Sequence, residues 1–129
     1  MLRKIGYSLL CAGSLFCTNV LAMTYNLMPG PGASFEYKLL ANSPIMVGNP
    51  YYHKMTATCT IFSEDESNDI VVEMVLKSSK VNNETVNSGE PPRTFNIASG
   101  SKLILEADGR AVVKLLNKGP SDITAKCTI

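Results

Sequence analysis

The chain has 129 residues, of which 18% are charged and 45% are hydrophobic, and its formal net charge at pH 7 is +1. Its basic side chains are scattered along the sequence, so the charge pattern gives no support for nucleic acid or an anionic membrane as a partner. A chain of this length forms one domain that can bury a single hydrophobic core.

The first 22 residues have the order of a secretory signal. Two basic residues come first, residues 5–17 are mostly apolar and uncharged, and Ala22 offers a small residue at a cleavage site. The apolar run is too short for a good transmembrane helix, so we expect no stable membrane insertion. Cleavage after Ala22 would leave residues 23–129 as a single exported domain, either periplasmic or secreted.

The four cysteines fall into two pairs. Cys11 and Cys17 lie inside the predicted signal, whereas Cys59 and Cys127 remain in the exported domain. Cys59 and Cys127 are each the centre of the sequence Ala-x-Cys-Thr-Ile, on the apolar side of an alternating stretch. An even pair of cysteines in an exported chain is usually a disulfide, so we predict a bond between Cys59 and Cys127. The chain-entropy estimate for closing so long a loop is about 4 kcal/mol.

Apolar and polar residues alternate along most of the domain, and this period of two predicts β-strands. We predict seven strands, at residues 35–39, 53–62, 70–77, 94–97, 102–107, 110–116 and 122–129. In the predicted strand at residues 70–77, the alternation puts Met74 and Leu76 on the same face. No segment of ten or more residues has the period and caps of a helix, although one helical turn near residues 82–86 stays open. Asp108-Gly109 is the strongest turn signal and predicts a tight hairpin turn.

Seven short strands at this spacing predict an all-β protein, an antiparallel β-sandwich. Because both retained cysteines are on apolar faces, we expect the disulfide to cross the core between the two sheets. In length, strand number and cysteine separation the domain resembles the immunoglobulin-like class, which implies the same two-sheet architecture. The chain departs from that class because it has no tryptophan, and because Ala125 stands where a tyrosine would precede the second cysteine. No specific family follows from the sequence.

No pattern in the sequence predicts a metal site, a cofactor or a catalytic centre. His53 is the only histidine, so zinc, copper and Ser-His-Asp sites lack their other ligands or partners. Asp65, Ser67 and Asp69 have the spacing that opens a calcium loop, but the glycine and the glutamate that such a loop needs further on are missing. We therefore interpret this acidic run as a solvated hairpin tip and predict no metal and no cofactor.

Two loops, at residues 42–52 and 78–93, are longer than a sandwich needs. Long loops in compact domains are often functional, and tyrosine offers a large contact area at a low entropy cost. The candidate binding residues in these loops are Met46, Tyr51, Tyr52 and Arg93. From the strand directions we expect both loops and the Asp108-Gly109 turn to gather at one end of the sandwich. The alternative is that they are ordinary connections packed on its edge.

We predict a non-enzymatic binding or accessory module that acts through loops at one end of the sandwich on a protein or cell-surface partner. A monomer is favoured. One alternative is a structural or assembly subunit that pairs with another chain through an edge strand, with residues 28–33 and the terminal strand as candidate edges. A second alternative is a small hydrolase, which would need two buried carboxylates that converge in a cleft.

Overall fold

The computed structural model describes residues 24–129, so the predicted signal, with Cys11 and Cys17, lies outside the described residues. Within them the chain forms eleven β-strands and no helix. The strands are β1 (Thr24–Leu27), β2 (Ser34–Leu39), β3 (Pro44–Gly48), β4 (Met55–Phe62), β5 (Ser67–Leu76), β6 (Ser78–Val81), β7 (Glu84–Asn87), β8 (Arg93–Ala98), β9 (Lys102–Ala107), β10 (Val112–Asn117) and β11 (Ile123–Thr128).

The strands form two sheets that share one hydrophobic core. The first, sheet A, has the order β1-β3-β10-β5-β8, and the second, sheet B, has the order β2-β11-β4-β9-β6-β7. The paired strands are antiparallel except β1 and β3, which run parallel. The predicted all-β sandwich with one disulfide is confirmed, with eleven strands in the described residues in place of about seven.

Alternation places one face of each sheet in the core. In β4 and β11 every second residue is buried, as predicted. Branched aliphatic side chains from both sheets form the fully buried centre, namely Ile61, Ile70, Val72, Val81 and Ile123. Such residues fit a pleated surface well, and burying each of them contributes roughly 1.5–3 kcal/mol. The core therefore specifies both sheets at once.

All seven predicted strands are present, and four further strands were missed. β1, β6 and β7 have only four residues each, and β3 begins with a proline. β6 and β7 form a hairpin whose turn residues, Asn82 and Asn83, have φ values of 49° and 71°. Positive φ at both central positions is the mark of a type I′ turn, in which asparagine is common. The helical turn left open near residues 82–86 is therefore wrong.

The disulfide joins neighbouring strands of one sheet. Cys59 and Cys127 are bonded and buried, as predicted. They face each other directly in the ladder between β4 and β11, with their Cα atoms 3.9 Å apart. The expectation of a bond across the core is wrong. The alternating pattern shows that both cysteines point into the core. It does not show whether their strands belong to opposite sheets or are neighbours in one sheet.

Nearly every connection crosses from one sheet to the other. Of the ten connections between described strands, only the one between β6 and β7 joins neighbours in a sheet. The predicted hairpin at Asp108-Gly109 is therefore wrong, because β9 belongs to sheet B and β10 to sheet A. For the same reason the acidic run after β4 is a link between sheets rather than a hairpin tip.

The terminal strand is not an edge. β11 lies between β2 and β4 and pairs with both, so the expectation that it offers a free edge is wrong. The edges are β1 and β8 in sheet A and β2 and β7 in sheet B. Residues 28–33, which we call the arm, connect the two edge strands β1 and β2.

The strand directions place several connections at one end of the sandwich, which we call the arm end. It carries residues 28–33, 49–54, 88–92 and 108–111. The predicted gathering of Tyr51, Tyr52 and the Asp108-Gly109 turn is thus confirmed. It is wrong for the start of the 42–52 loop, because β3 runs from one end of the sandwich to the other within that loop. It is also wrong for most of the 78–93 loop, which forms the β6–β7 hairpin with its turn at the opposite end, so that residues 88–92 are the connecting segment of that loop that lies at the arm end.

Candidate functional site

A tyrosine and an arginine stand together at the arm end. The Tyr52 side chain is 87% exposed, and the guanidinium carbon of Arg110 lies 5.1 Å from the centre of its ring. A cation over an aromatic face is attracted by the ring quadrupole, by about 0.5–1 kcal/mol at an exposed site. Arg110 Nη1 also donates a hydrogen bond to the carbonyl oxygen of Pro50 at 3.2 Å. These contacts give the exposed pair a defined position.

A buried asparagine holds the loop of residues 49–54 in place. The Nδ2 group of Asn49 donates to the carbonyl oxygens of His53 at 2.9 Å and Asp108 at 3.0 Å. Its Oδ1 atom accepts the N–H of Tyr51 at 2.9 Å. Because the residue is only 3% exposed, water does not compete well for these bonds. The hydrogen bonds of Asn49 therefore hold the loop that carries Tyr51 and Tyr52 in one conformation.

Gly109 lets two loops approach closely. A Cβ atom at this position would lie 2.2 Å from the carbonyl oxygen of Tyr52. The following residue, Arg110, donates its N–H to the carbonyl oxygen of Tyr51 at 2.9 Å. Gly109 is not among the residues with positive φ, so this position needs glycine for the close approach of backbones rather than for the predicted turn conformation.

An open groove of about 410 Å³ lies beside this pair on the outer face of sheet A. Its apolar part is formed by Tyr25, Leu27, Leu76 and Val112, and Lys77 and Arg110 stand at its rim. Gly48 belongs to the same row of the sheet, between Leu27 and Val112. The hydroxyl of Tyr25 would lie 2.6 Å from a Cβ at Gly48, so the tyrosine ring reaches over that glycine.

A β-bulge turns Leu76 toward the groove. The register between β5 and β10 shifts so that Val113 pairs with Met74 and Val112 with Leu76, which leaves Val75 without a partner in β10. Leu76 is 54% exposed, so the prediction that it shares the buried face of Met74 is wrong. Bulges often aim a side chain at a functional surface. This one extends the apolar row of the groove across four strands.

The rim of the groove carries two cations and no anion. Lys77 and Arg110 both have a φ of 65°, a left-handed conformation that non-glycine residues rarely adopt. Such strained conformations cluster at binding sites. The ion pairs found in residues 24–129 are Lys54–Glu106, Arg93–Glu84 and Lys114–Glu73. Neither rim cation takes part in them, so no ion pair within these residues neutralises either charge.

The structure does not bring the four sequence-predicted residues into one site. Tyr52 is exposed at the arm end, and Tyr51 supports it by packing on the core and stacking on His53 with ring centres 5.5 Å apart. Met46 faces outward from the middle of sheet A, next to Tyr25 in the ladder. Arg93 lies at the other edge of that sheet.

Arg93 holds the two sheets together along one side. It forms an ion pair with Glu84, donates to the carbonyl oxygen of Thr85 at 2.8 Å and lies over the ring of Phe95. These contacts tie β8 of sheet A to β7 of sheet B. The residue is therefore structural in this arrangement.

We did not predict the groove residues from the sequence; they are Tyr25, Leu27, Leu76 and Arg110. The alternation of Tyr25 and Leu27 was a usable signal, but it lies in a strand of four residues directly after the predicted signal. The exposure of Leu76 depends on the bulge, and the position of Arg110 depends on a crossing between sheets. The sequence has no pattern for either.

The side chains of the acidic run have different neighbours. Asn96 Nδ2 donates to Asp69 at 2.9 Å and to Ser67 at 3.4 Å, whereas Asp65 lies toward Gly119. Residues 24–129 contain no group of three or more His, Cys, Asp or Glu side chains that could hold a metal ion. No Asp or Glu residue in this range is buried as a whole, although one carboxylate oxygen, Asp65 Oδ2, is buried without a hydrogen-bond partner. A single buried carboxylate oxygen is not the convergent pair that the hydrolase alternative needs.

Comparisons with known proteins gave no match for this chain. No protein-family model matches the chain, and neither a curated protein nor a solved structure matches it. In the described range, no helix has the length and apolar character to cross a membrane. The site must therefore be interpreted from its own chemistry.

Proposed function

We propose that this chain is a non-enzymatic binding module of an exported, oxidising compartment, and that it recognises a protein partner through Tyr52, Arg110 and the adjoining groove. A disulfide in a small domain is typical of such a compartment, and the first 22 residues have the pattern of an export signal. The observation that carries the proposal is the fixed Tyr52–Arg110 pair beside an open apolar groove.

The lining of the groove indicates the chemistry of the partner. Its floor is apolar, and its charged rim residues, Lys77 and Arg110, are both cationic. A segment that carries an apolar side chain next to a carboxylate complements both features. Tyrosine and arginine are also the residue types most enriched among those that dominate binding energy at protein interfaces.

The rigidity of the loop supports a binding role. Ordering a flexible loop on association costs free energy that is subtracted from the affinity. Here Asn49 and the close approach at Gly109 have already ordered residues 49–54 in the free protein. The site is therefore preorganised, and little affinity is lost to ordering it.

The test is affinity capture from the exporting cell followed by mass spectrometry, with single variants that keep the fold. Tyr52→Ala and Arg110→Glu should each weaken capture of the same protein by about tenfold or more, because removal of an anchor residue costs more than about 1.4 kcal/mol. Ile104→Ala is the matched control, because Ile104 is also an exposed apolar residue, at 39%, but lies on sheet B.

Capture should be the same for the Ile104 variant as for the wild type. If the Tyr52 and Arg110 variants also capture the partner normally, the groove and its rim are not the binding site. Thermal stability should change little in all three variants, because none of these side chains lies in the core.

A further inference from the structure

Strand β1 is a short edge element held by few bonds. Among the described residues, 24–129, its backbone pairs with β3 alone, in parallel, over Thr24–Leu27. Where it ends, the N–H of Met28 donates to the carbonyl oxygen of Gly48 at 2.8 Å. The hydroxyl of Tyr37, on β2, donates to the carbonyl oxygen of Leu27 at 3.4 Å. Detaching β1 would break this ladder and little other backbone pairing.

The residue that follows β1 fills a place in the core. Met28 is 2% exposed, and a small apolar cavity of about 20 Å³ lies beside it, among Leu39, Val47 and Leu115. An empty socket at this place would expose apolar surface from both sheets to water. The fold is therefore complete only when a methionine occupies the socket.

A tight turn in the arm folds β1 back onto its own domain. The N–H of Ala33 donates to the carbonyl oxygen of Gly30 at 3.3 Å, and the central residues of the turn are Pro31 and Gly32. Gly32 has a φ of 81°, so the turn has the proline and glycine positions of type II. With the turn opened, the five residues that follow Met28, residues 29–33, extend to about 16 Å, at ~3.1 Å per residue for an extended proline-rich chain.

We propose that a second copy of this chain is a partner, and that the two copies exchange β1. When the turn opens, Thr24–Leu27 and Met28 of one copy pair with β3 and fill the core socket of the other copy. The groove of each copy then takes Tyr25 and Leu27 from its partner. The contacts of β1 and Met28 are remade between the copies, and those of the arm itself, the turn and the bond from the Gly32 N–H to the Ile129 carbonyl oxygen at 3.0 Å, are given up. The exchanged form becomes favoured as the protein concentration rises.

The arm fixes how the exchanged copies face each other. β1 ends and β2 begins at the arm end, so a link of about 16 Å brings the two arm ends together. Tyr52 stands at that end and is covered in the exchanged pair. This inference does not rest on the proposed function, but it implies that exchange and capture of another protein compete for one surface.

The test uses full-length chains that keep their native disulfide, have Cys11 and Cys17 replaced by serine, and carry one added cysteine each. Tyr25 and Met46 are partners in the parallel ladder, on its outer face. Chains carrying Tyr25→Cys and Met46→Cys are mixed at high concentration and treated with a short bismaleimide. We expect a covalent heterodimer well above the level given by Tyr25→Cys mixed with Lys102→Cys, because Lys102 begins β9 in sheet B.

A chain with both substitutions, treated at low concentration, shows that the pair can be linked. If that chain forms an internal link while the mixture gives no more heterodimer than the control, there is no exchange. If the double variant forms no link, either within one chain or between two chains, β1 does not lie on β3 and the inference fails. Neither readout depends on capture of another protein.

A glycine pair provides a second measurement. Gly32 and Gly89 have φ values of 81° and 87°, and an added Cβ at either would have no atom within 4 Å. Alanine at either site therefore strains only the local backbone and makes no steric clash. The two sites differ because Gly32 is in the arm and Gly89 is not. Gly32→Ala should raise the heterodimer yield about fivefold or more, the change in population expected from one left-handed alanine. If Gly89→Ala raises the heterodimer yield as much as Gly32→Ala does, opening of the arm turn does not explain the increase.

Discussion

Buried asparagine side chains hold the crossing connections of this fold. Asn49, Asn68 and Asn117 are each at most 3% exposed. Asn117 Nδ2 donates to the carbonyl oxygens of Leu39 at 2.9 Å and Ser121 at 2.8 Å. Asn68 Oδ1 accepts the hydroxyl of Ser63, in the connection from β4 to β5, at 2.7 Å. A chain that leaves one sheet for the other leaves backbone groups without ladder partners, and these amides supply the missing hydrogen bonds.

Replacing Asn49 by alanine should lower the free energy of unfolding by about 1–3 kcal/mol, the cost of leaving buried polar groups without partners. Chemical denaturation measures the change. Asn49→Asp keeps the oxygen that accepts the Tyr51 N–H but loses the donors to His53 and Asp108, so it should also be destabilised. A change below about 0.5 kcal/mol, the usual range for a surface substitution, would contradict this role.

The stability of the domain should also depend on Tyr37 at high pH. Burial raises the pKa of the Tyr37 phenol above its usual value of 10.0. Because the folded state holds this proton more strongly than the unfolded chain does, the contribution is complete below pH 10 and is lost as the pH rises through the raised pKa. Tyr37→Phe cannot ionise, so its stability should fall less steeply above pH 10.

Urea denaturation at a series of pH values measures this difference. Tyr52→Phe is the matched control, because that ring is exposed at the arm end. Its curve should follow that of the wild type. Parallel curves for Tyr37→Phe and the wild type above pH 10 would show that this phenol does not couple ionisation to folding.

At the scale of the strand, alternation predicted burial correctly where one face of the strand is apolar and the other is polar. β4 and β11 have an apolar inner face and a threonine- or lysine-rich outer face, and the sequence predicted both. β6 and β7 have one buried valine each, Val81 and Val86, so they have no period to detect. Leu76 has the right period, but the bulge at Val75 changes its face.

The candidate site was predictable only in part, for a related reason. Tyr52 follows a proline between two strands, and a loop is the expected place for an exposed tyrosine. The groove, by contrast, is assembled from β1, β3, β10 and β5, which are neighbours in sheet A but not along the chain. Sequence periodicity gives the inner and outer faces of a strand, but it does not give the order of strands in a sheet.

The disulfide stabilises the domain through the unfolded state rather than by joining the sheets. β4 and β11 are already paired through their backbones, and the bond between Cys59 and Cys127 closes a separation of 68 residues. Replacing both cysteines by alanine should lower the free energy of unfolding by about 2–5 kcal/mol. The β4–β11 register should survive, and amide hydrogen exchange can follow it. A loss well under 1 kcal/mol would contradict the loop-entropy explanation.

Over the whole molecule, the crossing connections make the two sheets interdependent. Between β1 and β11 the chain enters the other sheet at every connection except the β6–β7 hairpin. Each sheet is therefore built from strands that are distant in sequence, and neither sheet can form from a continuous segment. The core residues of the two sheets also form one hydrophobic cluster. Neither sheet therefore has a core of its own that could stabilise it without the other.

Heat should therefore unfold the described domain in a single cooperative transition, with an enthalpy of about 60–80 kcal/mol, the value typical of about 100 residues. Differential scanning calorimetry should give equal calorimetric and van't Hoff enthalpies, the signature of two-state unfolding. Scans at two heating rates control for irreversibility, because an equilibrium transition does not move with the rate. Two resolved transitions would show that one sheet unfolds while the other persists. Because the crossing topology allows no segment to form a sheet alone, we expect one transition.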